Sequence, residues 1–173
     1  MHRSSISIFL TAVFLAMTGC GAPPPPEEEI VNPRDVYDEA LDGHEQIAEA
    51  MAQAKAEQKR VLITWGGDWC LHCRNLDQLI SEDDAIQGIL DEYYVKVKID
   101  VGRREKHMAL AKEYGADLDE VSIPHMSILN TEGTVIAEIV QDNYVDEDAD
   151  VLEQHHPEII AGKLKMWTPH LSN

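Results

Sequence analysis

Two cysteines three residues apart, Cys70 and Cys73, follow a short apolar run, Val61-Leu62-Ile63-Thr64-Trp65. This constrains the chain more than any other feature, because the spacing suits a pair that passes between dithiol and disulfide. If Cys70 opens a helix, Cys73 lies one turn on and the two sulfurs are within bonding reach. The unpaired amides and dipole of a helix start favour a thiolate at Cys70. A free cysteine has a pKa of about 8.5, and Cys-X-X-Cys motifs at helix starts lower it to roughly 3.5 to 7.5. Cys70 is therefore the candidate nucleophile. Leu76, Leu79 and Ile80 recur at helical spacing, and Cys73 projects with Leu76 and Ile80 toward the core as the shielded, resolving thiol.

Other uses of a cysteine pair fit less well. Covalent haem attachment requires histidine directly after the second cysteine, where this chain has Arg74. A closed zinc or iron-sulfur site requires about four ligands, and the one further cysteine, Cys20, is far away. A soft metal such as copper(I), held by Cys70, Cys73 and His125 in a metal-binding or metallochaperone protein, is the alternative reading. The redox reading needs no cofactor and no metal.

The N-terminus sets the compartment. Arg3 precedes an apolar run from Ile6 to Met17, too short to cross a bilayer core of roughly 30 Å as a helix. It ends in Leu15-Ala16-Met17-Thr18-Gly19-Cys20, which resembles a bacterial lipoprotein signal whose cysteine is lipidated and becomes the mature N-terminus. Residues 1–19 are read as that signal, and 20–36 as the lipidated cysteine and a Pro/Glu-rich tether stiffened by Pro23 to Pro26. Residues 37–173 then suit one domain. The expected location is a bacterial membrane surface facing the periplasm or cell exterior, with lipid on Cys20 as the anchor.

Along the domain, helical and strand patterns alternate. Asp42 and Glu45 suggest a capping box for a helix carrying Ile47, Ala50, Met51 and Ala54 to about Glu57. Val61 to Trp65 reads as a buried strand. Ser81 is the expected cap of a helix carrying Ile86, Ile89 and Leu90, and Asp68 that of the cysteine helix. Tyr94 to Ile99 alternates as a strand, and a helix from about Arg104 to Tyr114 stops at Gly115. His125 to Leu129 and Thr134 to Val140 read as strands joined by a turn at Asn130 to Gly133. A last helix spans about Pro157 to Trp167, with Ile159, Ile160, Leu164 and Trp167 as its apolar face. This order implies an α/β fold with a mixed central sheet flanked by helices on both faces.

The segment Val61 to Cys73, the pair Ile123-Pro124 and the Glu132-Gly133 hairpin together resemble the thioredoxin superfamily, over roughly residues 40 to 168. The resemblance implies a thioredoxin-like fold, attack by Cys70, resolution by Cys73, and a cis Pro124 packed beside the sulfurs. It also gives Ile123 and Pro124 a part in binding an extended substrate peptide. One position departs: many thioredoxins carry a buried aspartate six residues before the first cysteine, and this chain has Thr64.

His72, between the cysteines, favours the Cys70 thiolate and hence a more oxidising disulfide. Ile123 resembles reducing thioredoxins instead, so the direction of electron flow stays open. Trp69 and Trp65 are expected around the active-site turn, with Trp69 offering an apolar edge to a partner. His155 and His156 are expected to decorate a helix start, and His107 an exposed helix face. With 32 acidic against 14 basic residues, phosphate is repelled and nucleic acid is excluded as a partner. The expected partners are protein thiols and disulfides, an electron donor or acceptor, and a membrane.

Overall fold

The computed structural model describes residues 35–141 and 155–169. The signal segment, Cys20 and the tether up to residue 34 lie outside the described residues. The elements are α1 (Gly43–Glu57), β1 (Arg60–Gly66), α2 (Leu71–Glu82), α3 (Asp84–Tyr93), β2 (Tyr94–Asp100), α4 (Met108–Glu113), β3 (His125–Leu129), β4 (Val135–Ile139) and α5 (Pro157–Met166).

The four strands form one mixed sheet in the order β2-β1-β3-β4. β1 runs parallel to β2, with Val61 opposite Val95 and Gly66 opposite Asp100, and antiparallel to β3, with Trp65 opposite His125. β3 and β4 form the terminal hairpin. Its turn is held by Asn130, whose Oδ1 accepts the Glu132 and Thr134 amides at 3.1 and 2.8 Å, and by Gly133 at φ +83°.

Because side chains alternate along a strand, the sheet has two apolar faces. Val61, Ile63 and Trp65 of β1 join Val95, Val97 and Ile99 of β2 under α1 and α4, which contribute Ile47, Ala50, Ala54, Leu110 and Ala111. Leu62, Tyr94, Met126 and Ile128 form the opposite face under α3 and α5, with Ile86, Ile89, Leu90, Ile160 and Leu164. The expected helix-flanked mixed sheet is the observed one. Tyr94 crosses that second layer and donates its hydroxyl to the Leu164 carbonyl at 2.7 Å; burial pushes its phenol pKa well up. No helix among the described residues is long and apolar enough to cross a membrane.

Several local expectations are corrected. Asp83, not Ser81, caps α3: its Oδ1 accepts the Ile86 amide at 2.8 Å, because a residue one step from the helix reaches that donor and Ser81 is still inside α2. The helix read from Arg104 begins only at Met108. Gly102, Arg104 and His107 all have positive φ, which breaks a right-handed helix, and the Arg104 guanidinium is committed to the Leu118 and Val121 carbonyls. His107 is no surface decoration: its ring joins the Gly43 amide at 3.1 Å and the Asp100 carbonyl at 2.8 Å, tying α1 to the end of β2. On α5, Ile160 and Leu164 are fully buried, whereas Ile159 is exposed.

Candidate active site

β1 ends at Gly66, and the turn that follows closes with the Cys70 amide donating to the Gly67 carbonyl at 3.0 Å. The two glycines there are needed for space. A Cβ on Gly66 would sit 2.9 Å from Cys73 Sγ and 2.7 Å from Tyr37 Cζ, and one on Gly67 would sit 3.0 Å from Trp69 Nε1. The doublet was visible in the sequence, but the atoms it makes room for were not.

Cys70 itself is the N-cap of α2, and its Sγ accepts the Cys73 amide at 3.2 Å. Asp68, expected in that position, instead accepts the amides of Val36 and Tyr37, both at 3.0 Å. It pins the start of the domain to the active-site loop. The helix start thus offers its free amides to sulfur rather than to a carboxylate. Cys70 and Cys73 are joined as a disulfide, with Cα atoms 5.2 Å apart. Both are buried, Cys70 at 6% exposure and Cys73 at 1%.

The Ile123-Pro124 peptide is cis, as the resemblance implied, and the Ile123 carbonyl oxygen lies 3.8 Å from Cys70 Sγ. Trp69 and Leu71 stand on the rim, 43% exposed each. The Trp69 indole donates to the Gly102 carbonyl, and the Arg103 guanidinium lies 5.4 Å from its ring. Trp65, by contrast, is fully buried and donates to Ser127 Oγ at 3.0 Å. The structure therefore gathers Cys70, Cys73, Trp69, Ile123 and Pro124 around one bond.

His72 packs against a residue expected on the surface. His155 does lie at the start of α5, directly before its N-cap His156, but its ring is 5.8 Å from that of His72 and is buried at 7% exposure. Burial, reinforced by His72, lowers the His155 pKa to about 4, so it is neutral at neutral pH. His72 Nδ1 is buried without a hydrogen-bond partner among the described residues. No local signal announces this pair, since the two histidines meet only when α5 docks.

His125 is fully buried on β3, and its Nε2 lies 3.5 Å from Glu138 Oε2. Burial lowers its pKa to about 4. Among the described residues, no three histidine, cysteine or acidic side chains are grouped to hold a metal, so His125 is not brought to the cysteines as a third ligand. The metal reading has no geometric support from this arrangement.

Comparison with known proteins agrees with this geometry. The family described as thioredoxin-like matches residues 42–131. The structure of a disulphide isomerase from Xylella fastidiosa Temecula1 superposes with a TM-score of 0.62 and 25% identity, over 75% of this chain and 94% of that one. A thioredoxin from Thermus thermophilus shares the fold, with a TM-score of 0.50 and 15% identity over 69% of this chain and 81% of that one. The thiol:disulfide interchange protein DsbD 1 of Pseudomonas aeruginosa is 33% identical over 48 residues, 28% of this chain. That match spans 8% of the Pseudomonas protein's length. With a family match over more than half its length and a Cys-X-X-Cys disulfide at the start of α2, this chain belongs to the thioredoxin-like family.

Proposed function

We propose that the chain is a membrane-tethered, extracytoplasmic oxidoreductase that exchanges electrons with protein disulfides through Cys70-Leu71-His72-Cys73. The observation that carries this reading is the asymmetry of the pair: Cys70 Sγ faces the Cys73 amide and the Ile123 carbonyl, while Cys73 is enclosed behind it. In the dithiol form, the Cys70 thiolate attacks a substrate disulfide and expels one substrate sulfur. Cys73 then attacks Cys70 Sγ, closes the internal disulfide and releases the second substrate sulfur. The two electrons come from the protein's own thiols, and the reverse sequence oxidises a substrate dithiol.

Ile123 and Pro124 supply the backbone edge for an extended substrate, and Trp69 and Leu71 an apolar rim beside it. His72 tunes the Cys70 thiolate. The lipid on Cys20 and the prolyl tether hold the domain at a bacterial membrane, facing the periplasm or cell exterior. An oxidising compartment requires a redox partner to set the direction of flow. The similarity to a segment of a thiol:disulfide interchange protein and to a disulphide isomerase supports a protein substrate.

The test is the reduction potential of the pair, equilibrated against glutathione and read by tryptophan fluorescence. A value near roughly −270 mV assigns a reductase fed with electrons, and one near about −120 mV a disulfide donor. A pair that forms no reversible disulfide overturns the proposal.

A further inference from the structure

Cys73 is 1% exposed, so its thiol has no direct route for its proton to bulk water. Resolution of a mixed disulfide nevertheless requires a Cys73 thiolate. Behind the sulfur lies a cavity of about 30 Å³, lined by Cys73 itself, Thr64, Asp77, Lys96, Lys98 and Tyr37 with apolar neighbours. That is space for one water, which needs roughly 10 to 15 Å³. The lining is mostly apolar, and the side chains of Thr64 and Asp77 are the polar partners it offers such a water.

Asp77 is the single carboxylate in that lining. It sits one helical turn beyond Cys73 on α2, and residues four apart share a helix face with Cβ atoms about 5 to 6 Å apart. Its carboxylate is ion-paired with the Lys98 ammonium, which reaches across from β2, and its side chain keeps 28% of its surface in solvent. One end of Asp77 therefore touches the cavity and the other touches water. On the facing wall, Thr64 offers a hydroxyl and no base.

We propose that Asp77 is the proton acceptor for Cys73, working through the cavity behind the disulfide. This rests on the exchange reaction proposed above. In the mixed-disulfide state the Cys73 thiol gives its proton to a cavity water, which passes one to the Asp77 carboxylate. The Cys73 thiolate then bonds to Cys70 Sγ, the bond from Cys70 to substrate sulfur breaks, and the substrate leaves as a thiolate that is protonated by solvent. Asp77 returns its proton to bulk water through its exposed edge. The charged and titratable groups facing Asp77 in the cavity are Cys73 from its own helix, Lys96 and Lys98 from β2, and Tyr37 from the start of the domain.

The experiment follows the reaction of the reduced protein with Ellman's reagent by stopped flow, across pH 5.5 to 9 as a roughly chosen range spanning ordinary cysteine titration. The first equivalent of thionitrobenzoate reports attack by Cys70, and the second reports resolution by Cys73. In Asp77→Asn the second phase is expected to slow about tenfold near neutral pH. This is less than the ~100-fold of an enclosed base, since Asp77 is partly solvated. Its pH dependence should become that of the bare thiol, while the first phase keeps its rate. Asp77→Glu, or Thr64→Asp added to Asp77→Asn, should recover most of the second phase by returning a carboxylate to the cavity. A second phase in Asp77→Asn with wild-type rate and pH profile overturns the assignment. Absence of the first phase in the wild-type protein would instead overturn the exchange reaction itself.

Discussion

Cys70 and Cys73 share one bond and face opposite worlds. Around Cys70 the chain has gathered backbone: an amide at 3.2 Å, a carbonyl at 3.8 Å, and the open ends of a helix, rimmed by exposed Trp69 and Leu71. Around Cys73 it has gathered side chains: a tyrosine, a threonine and an ion pair enclosing a small cavity. In the proposed exchange reaction the first sulfur is the one that attacks a partner, and the second the one that resolves the mixed disulfide. The two lie one turn apart on the same helix face, Cys70 as the N-cap at the open end of α2 and Cys73 inside its first turn.

The largest effect expected from disturbing the outer side is acid sensitivity. His155 behind His72, and His125 beside Trp65 on β3, both have pKa values lowered to about 4 by burial. The unfolded chain binds protons at these groups near pH 6.5, so it takes up more protons than the native state as pH falls. Stability is therefore fully present above about pH 6.5 and is lost toward pH 4, on the order of 2 kcal/mol for each histidine between pH 7 and 4.5. Urea midpoints at the two pH values check this, and His155→Gln should flatten part of the slope. An unchanged slope in that variant would separate His155 from the site's acid response.

On the inner side, Gly66→Ala drives a methyl toward Cys73 Sγ and Tyr37 at once. A loss of about 1 to 3 kcal/mol is expected, as for other overpacked sites, measured by denaturation of the oxidised protein. A neutral result would mean that the Cys73 pocket is softer than the Cys70 rim. The smallest effect belongs to Trp69→Ala. Its ring meets Arg103 at a partly exposed position, so stability should fall by less than about 1 kcal/mol, with the cost appearing as a higher KM for protein substrates. A fall in kcat at unchanged KM would assign Trp69 to the chemistry instead.

What the sequence made legible follows the same division. The strand, the cysteine helix, the sheet and the cis Ile123-Pro124 peptide were readable, because apolar alternation and a short motif are local or inherited signals. The cavity was not, because Thr64, Asp77 and Lys98 come from three elements and meet only through strand register and helix docking. Asp68 shows how a local rule loses to a distant demand. It had the right chemistry for a cap, yet the amides of Val36 and Tyr37 claim it and leave the cap to Cys70. The run from Val101 to His107 fails for a related reason: its charged side chains suited a helix surface, but carbonyls of the following loop hold Arg104 in a left-handed turn.

The most direct test of the division of labour between the sulfurs is covalent trapping with single-cysteine variants. Reduced Cys73→Ser and Cys70→Ser domains are mixed near neutral pH with a disulfide-bonded peptide, and adducts are counted by intact mass. One stable mixed disulfide is expected to form rapidly on Cys70 in Cys73→Ser, and almost none on the enclosed Cys73 in Cys70→Ser. Equal trapping by the two variants, or faster trapping on Cys73, would contradict that division.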